Sequence, residues 1–163
     1  MIYVGVDPGA KGGYAVIYND ISGRQHVDVF PWDDDAFVRE MVGWNGDFAA
    51  HEGGGLVACV EKVGAMHRQG VTSMFTFGKS AGFIEGVLSG LGIPYQLVPP
   101  AKWKKEFSLI GKDKQASIIT CRHLFPELDL KRTEKCRTDS DGKAEATLLA
   151  EYARRHFGEG YVE

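Results

Sequence analysis

The sequence predicts an α/β fold: one mixed sheet of five strands with helices on its faces. Two features predict it. The first third holds three short β-branched and aromatic runs separated by turn residues, the mark of an antiparallel meander. Apolar strand-like runs then alternate with helix-length segments, the mark of parallel pairing through crossovers. The 163 residues are one domain's worth and enough to bury a core without disulfides or a structural metal.

The elements follow in order. Residues 2–7 (IYVGVD) and 14–19 (YAVIYN) read as strands around the turn Pro8-Gly9-Ala10-Lys11-Gly12-Gly13, and 25–30 (QHVDVF) as a third. Asp33-Asp34-Asp35 supplies an N-cap and favourable first-turn charge for a helix near 35–45. Leu56 to Glu61 (LVACVE) is a short apolar run ending in a carboxylate, as a buried strand would. A long helix is expected at about 72–91 and a strand from Ile93 to Val98. Pro99-Pro100 opens a short helix through Phe107, and helices near 113–124 and 142–157 complete the chain.

Composition excludes several classes. Hydrophobic residues at 44% and charged residues at 25% are ordinary globular usage, so disorder and collagen-like or disulfide scaffolds are out. No run of about 18 apolar residues suggests a membrane span, and the strand-like start at Met1 carries no secretory signal pattern. Cys59, Cys121 and Cys136 are odd in number and far apart, which suits a reducing cytosol, so a cytoplasmic location is expected.

Charge is uneven. The net value is −3. Residues 1–61 carry ten acids against three Lys/Arg, and residues 62–163 carry twelve against sixteen. Acids gathered at one site and bases along a surface would produce this split, as would a solvated pattern without function.

Four acids stand out. Asp7 ends the first strand and Glu61 the fourth; if those strands are parallel neighbours, both carboxylates emerge at one sheet end, where α/β folds place their ligands. Asp141 and Glu145, at i and i+4 on the last helix, share a face. Each alone has a plainer reading: a turn former, a strand's solvent end, or a complement to the helix dipole. Together, four converging carboxylates repel unless cations lie between them, and oxygen-only ligands select hard ions such as Mg²⁺ or Mn²⁺. Two such ions suit in-line attack of water on a phosphodiester.

Basic residues supply a second surface. Lys102, Lys104, Lys105, Lys112 and Lys114 fall within 13 residues and read as phosphate contacts, with Arg68 and Lys79 as further candidates. Trp103 either stacks on an unpaired base or joins the core with Phe107. Lys143 lies off the face shared by Asp141 and Glu145 and is not taken as catalytic. Gly78, Gly82, Gly86 and Gly90 recur every four residues in a predicted helix, each at a cost of about 1 kcal/mol relative to Ala, and call for a tertiary explanation. The helix either lies tight on its own sheet or, the favoured reading, meets a second copy in a twofold dimer.

Val4-Gly5-Val6-Asp7-Pro8-Gly9 with Gly12-Gly13, Val57 to Glu61, and Asp141-Gly142-Lys143-Ala144-Glu145-Ala146-Thr147-Leu148-Leu149-Ala150, in that order, resemble the RuvC-type Holliday junction resolvases, in their phage- or prophage-like branch. The resemblance spans nearly the whole chain, including Phe77 to Gly82 and Pro99 to Lys104. It implies an RNase H-like fold, a homodimer, and Mg²⁺-dependent symmetric nicking of four-way DNA junctions. Asp7 would bridge two ions, with Glu61, Asp141 and Glu145 completing the set, and Mn²⁺ would substitute. Two departures stand against the pattern. The family's last acid is usually Asp, here Glu145, and the final pair is usually three apart, here four, so Asp139 is held in reserve for the role of Asp141. The aromatic wedge that follows the strand-four Glu in the bacterial branch is absent from Lys62 to Arg68; junction opening falls to Met66 or His67, or is done otherwise.

Alternative readings are a nuclease acting on forks, flaps or RNA–DNA hybrids, and a non-catalytic junction-binding protein, against which the retained acids argue. A phosphate-binding module of the sugar kinase or actin type would need a second domain for which the length leaves no room.

Overall fold

A computed structural model describes residues 1–49, 55–62, 64 and 70–157. The order is β1 (Ile2–Asp7), β2 (Gly13–Asn19), β3 (Gln25–Pro31), α1 (Asp34–Ala49), β4 (Leu56–Glu61), α2 (Val71–Gly90), β5 (Tyr95–Val98), α3 (Pro100–Glu106), α4 (Lys114–Leu124) and α5 (Asp141–His156). The five strands form one sheet in the order β3-β2-β1-β4-β5. The meander β1-β2-β3 is antiparallel, and β1-β4 and β4-β5 are parallel, so the sheet is mixed as expected.

Strand alternation sorts the side chains onto two faces. Ile2, Val4 and Val6 of β1 and Leu56, Ala58 and Val60 of β4 pack with Phe37 and Met41 of α1 and Ile84 and Leu88 of α2. On the other face, Val57 and Cys59 pack with Trp103 of α3, Ile118 and Cys121 of α4, and Leu148, Leu149 and Tyr152 of α5. Helices therefore cover both faces. Among the described residues no helix is long and apolar enough to cross a membrane, and all three cysteines are free.

Boundaries differ from the sequence reading at a few points, each with a local cause. The last strand begins at Tyr95 rather than Ile93, because Pro94 has no N–H to donate and contributes only its carbonyl, which accepts from Ala58 N–H at 2.9 Å. Asp113 and Ser140 stand outside α4 and α5 as N-caps, their side chains accepting from Ala116 N–H and Lys143 N–H. Helix α2 stops where Gly92 turns into the left-handed region at φ +67°.

Glycine sets how closely α5 approaches the sheet. A Cβ on Gly5, in the middle of β1, would lie 2.1 Å from both the Ala146 carbonyl oxygen and the Ala150 nitrogen of α5. A Cβ on Gly142 would lie 2.1 Å from the Lys11 carbonyl oxygen, in the turn after β1. Backbone thus meets backbone at both places, and the first turn of α5 is seated on the β1–β2 turn.

The stripe Gly78, Gly82, Gly86 and Gly90 does not lie on the sheet. All four glycines are exposed, nothing stands within 4 Å of where their Cβ atoms would be, and the buried face of α2 is that of Ile84 and Leu88. The own-sheet explanation is therefore removed.

Candidate active site

The site is built by register. In the parallel pair β1–β4, Val6 aligns with Val60, so the next residues, Asp7 and Glu61, stand side by side at the carboxyl end of the sheet. Alternation gives both the parity of Gly5 and Cys59, so they belong to the face that α5 covers. The close seating of Gly142 then carries Asp141 and Glu145 to the same place.

The electrostatics record this convergence. Burial pushes the Asp7 carboxyl up from 3.8 to about 7, and the neighbouring Glu61, Glu145 and Asp141 carboxylates push in the same direction, against one hydrogen bond from Gly9 N–H at 3.2 Å. Glu61 is also raised, first by burial and then by Glu145, opposed by a hydrogen bond from the Trp103 indole N–H at 3.0 Å and by Lys104 and Lys114. Burial alone would raise Asp141, but the Lys114 ammonium that donates to its Oδ2 holds it below the usual range. Glu145 Oε1 accepts from Ser117 Oγ at 3.1 Å and forms an ion pair with Lys104 Nζ at 3.2 Å.

The reserve candidate has a different occupation. Asp139 receives both Nε and Nη2 of Arg122, at 2.6 and 2.8 Å, and that guanidinium holds its carboxyl low. It does not figure among the groups acting on Asp7, whereas Asp141 does.

Hard cations suit this donor set. It is all oxygen, three of its carboxylates border Asp7, and the resulting repulsion is what positive charge between them relieves. As the side chains stand, Asp141 and Glu145 are taken up by Lys114 and Lys104, and among the described residues no three His, Cys, Asp or Glu groups are drawn together round a common point that could hold an ion. A cation gathered among them would compete with both lysines for these acids.

The basic residues divide. Lys104 and Lys114 lie on the acids, and together with Lys112, Ser117 and Glu145 they border a cleft of about 40 Å³. Lys102, Lys105, Lys112 and, on α2, Lys79 are exposed. Arg68, Met66 and His67 lie outside the described residues. Of the two alternatives for Trp103 the structure takes the core: it is fully buried, so its ring offers no face to a base and the DNA-contact expectation is dropped, and its indole N–H donates to Glu61.

One contributor was missed from the sequence, and one residue set aside as non-catalytic has a structural part. Ser117, buried on α4, orients Glu145, and a lone Ser in an amphipathic helix carries no signal of that. Lys143 is buried between the two acids of α5 in sequence, and its ammonium donates to the carbonyls of Asp129 and Lys131 at 2.6 and 2.9 Å, clamping the segment that leads into α5.

The topology and the five-strand order define a mixed α/β fold with helices on both faces, and it is the fold of RuvC. Among solved structures the chain is similar to Thermus thermophilus RuvC in complex with a Holliday junction substrate, with a TM-score of 0.55 and 17% identity over 97% of each chain. It is likewise similar to a structure of Thermus thermophilus RuvC with a TM-score of 0.54 and 16% identity, again over 97% of each chain. No protein-family model matches the sequence, and no curated protein matches it.

Proposed function

We propose that this chain is a structure-selective DNA endonuclease that resolves four-way junctions by paired symmetric nicks. The observation that carries this reading is the juxtaposition of Asp7 and Glu61 on neighbouring parallel strands beneath the two acids of α5. Similarity in fold to RuvC, one structure of which holds a Holliday junction substrate, supports four-way junctions over other branched or hybrid substrates.

Asp7, Glu61, Asp141 and Glu145 would hold two hard divalent cations, Mg²⁺ or Mn²⁺. Such a pair, when bound, supplies activation of water at neutral pH and neutralisation of charge on the leaving 3′ oxygen. The chain's own residues do the rest. Trp103 fixes the Glu61 carboxylate, and Ser117 fixes that of Glu145. Lys104 and Lys114 neutralise the acids in the cation-free protein, and on release they are placed to meet phosphate. Lys102, Lys105, Lys112 and Lys79 extend the positive surface for the DNA backbone, and Arg68, outside the described residues, is a further candidate.

The active unit in this reading is a homodimer. Two nicks related by a twofold need two sites so related, and the open glycine face of α2 lets a second copy approach closely. Sedimentation at micromolar concentration without DNA tests this part; a monomer counts against it.

The deciding experiment is incubation of a synthetic four-way junction with the protein in Mg²⁺ and in EDTA, with cuts mapped on every strand. Symmetric nicks in Mg²⁺ alone are expected. Cleavage that ignores EDTA, or no cleavage of any branched DNA, overturns the reading.

A further inference from the structure

We propose that the segment Lys131–Asp139 is a braced cationic hairpin that grips the phosphodiester backbone of a DNA arm beside the carboxylate cluster, through Lys131, Lys135 and Arg137. The inference rests on the proposed function and adds a contact surface to it.

The hairpin is defined by its hydrogen bonds. Lys131 and Asp139 form an antiparallel bridge, Ser140 N–H donates to the Leu130 carbonyl at 2.8 Å, and the tip is closed by Cys136 N–H on the Thr133 carbonyl at 2.9 Å. Its root is anchored. Leu130 is fully buried, Lys143 donates to the Asp129 and Lys131 carbonyls, and Arg122 binds Asp139 through two nitrogens. This bracing fixes the backbone that carries the charges, so binding has less main-chain ordering left to supply.

Charge and position select the partner. Residues 131–137 contain Lys131, Arg132, Lys135 and Arg137 against the single acid Glu134. Lys131, Lys135 and Arg137 are exposed. Among the described residues none of the four cations enters a salt bridge, whereas Lys104, Lys114, Arg122, Arg154 and Arg155 all do. Lys131 also faces the Asp139 carboxylate that Arg122 holds, but exposed cations outside any salt bridge, on a hairpin braced at its root, fit a polyanion rather than an internal partner.

The hairpin also adjoins the acids. Its return arm ends at Asp139, two residues before Asp141, and Arg132 Nη2 donates to the carbonyl of Ala10, three residues past Asp7, at 3.0 Å. The lysines of α3 and α4 reach the cluster through Glu145 and Asp141, while the hairpin reaches it through the turn after β1. DNA lying over the four acids therefore meets cations from two separate parts of the chain. Contacts of this kind fix the register of the backbone without reading bases.

The test is junction binding by the full chain as a function of salt, without divalent cations, for wild type and for K131Q/K135Q/R137Q. Each lost phosphate contact removes about 0.9 from the slope of log K against log salt, so the triple variant is expected to lose about 2 to 3 from the slope and about 10- to 100-fold in affinity near 0.1 M salt. Lys135→Gln alone, at the tip and making no hydrogen bond among the described residues, should lose about 1 from the slope, and it serves if the triple variant melts early. Arg24→Gln, on the turn at the opposite end of the sheet, should leave the slope in place. An unchanged slope in the hairpin variants, or an equal loss for Arg24→Gln, overturns the hairpin proposal while junction binding stands. Wild type that binds no branched DNA removes the proposed function, and the hairpin's assignment with it.

Discussion

The indole N–H of Trp103 donates to Glu61 Oε1 at 3.0 Å, joining residues 42 positions apart in sequence and tying the short helix α3 to the end of β4. Trp103 is fully buried, so the donor cannot swing away without disrupting the core around it. A carboxylate that would otherwise rotate freely is held in one orientation. Trp103→Phe keeps most of the packing and removes this donor. It should raise the Mg²⁺ concentration needed for half-maximal cleavage, with the rate recovering at saturating cation, and should cost about 1 kcal/mol of stability. Trp103→Ala should cost about 3 to 5 kcal/mol. A Mg²⁺ titration indistinguishable from wild type for Trp103→Phe would show that the hydrogen bond is structural only.

Asp7 links stability to pH. Its carboxyl is raised from 3.8 to about 7, so in the folded protein it keeps its proton where the unfolded chain has lost it. The contribution is whole below about pH 4 and is lost as pH rises toward 7; the cation-free protein should be less stable at pH 8 than Asp7→Asn, by up to about 4 kcal/mol. Mg²⁺ should restore part of that loss in wild type and little in the variant. Melting curves from pH 4 to 8, in EDTA and in Mg²⁺, read the effect. The same Asp7→Asn should abolish cleavage while leaving junction binding in place, because it leaves the lysine surface untouched.

Glu145 is expected to be indispensable despite its unusual identity and spacing. Glu145→Gln should lose cleavage by several orders of magnitude and retain the fold, since the amide can still accept from Ser117. Near-normal nicking by this variant would mean that another residue completes the set.

Calcium should support junction binding without turnover. Its coordination is looser and more variable than that of Mg²⁺, so it neutralises the acids without fixing the water. Gel shift and cleavage assays on one junction, in Ca²⁺ and in Mg²⁺, separate the two effects; cleavage in Ca²⁺ at the Mg²⁺ rate would contradict the geometry proposed for the ions.

Gly142→Ala should unseat the first turn of α5. The new Cβ would meet the Lys11 carbonyl, which is backbone and cannot rotate aside, so the helix must shift and carry Asp141 with it. A loss of about 1 to 3 kcal/mol is expected, together with a much larger fall in cleavage than in junction binding. Thermal denaturation and paired binding and nicking assays measure the two parts.

The pattern of elements was legible in the chain because it rests on local chemistry. β-Branched and apolar runs marked β1, β2, β3 and β4, Asp-rich and Pro-Pro segments marked the starts of α1 and α3, and their strand-ending positions already put Asp7 and Glu61 at one sheet end if their strands were parallel neighbours. Pairing was a different matter. Only the sheet shows β1 beside β4, only the missing side chains of Gly5 and Gly142 let α5 lie close enough to bring Asp141 beside Asp7, and only the tertiary structure shows Asp139 held by Arg122. The burial of Trp103, the clamp of Lys143 on the 130s segment and the open face of the α2 glycines were likewise tertiary outcomes. The physical reason is range. Propensity, capping and periodicity act over a few residues and are written in the sequence, whereas the field on a carboxylate depends on which distant groups the packing brings within a few ångströms of it.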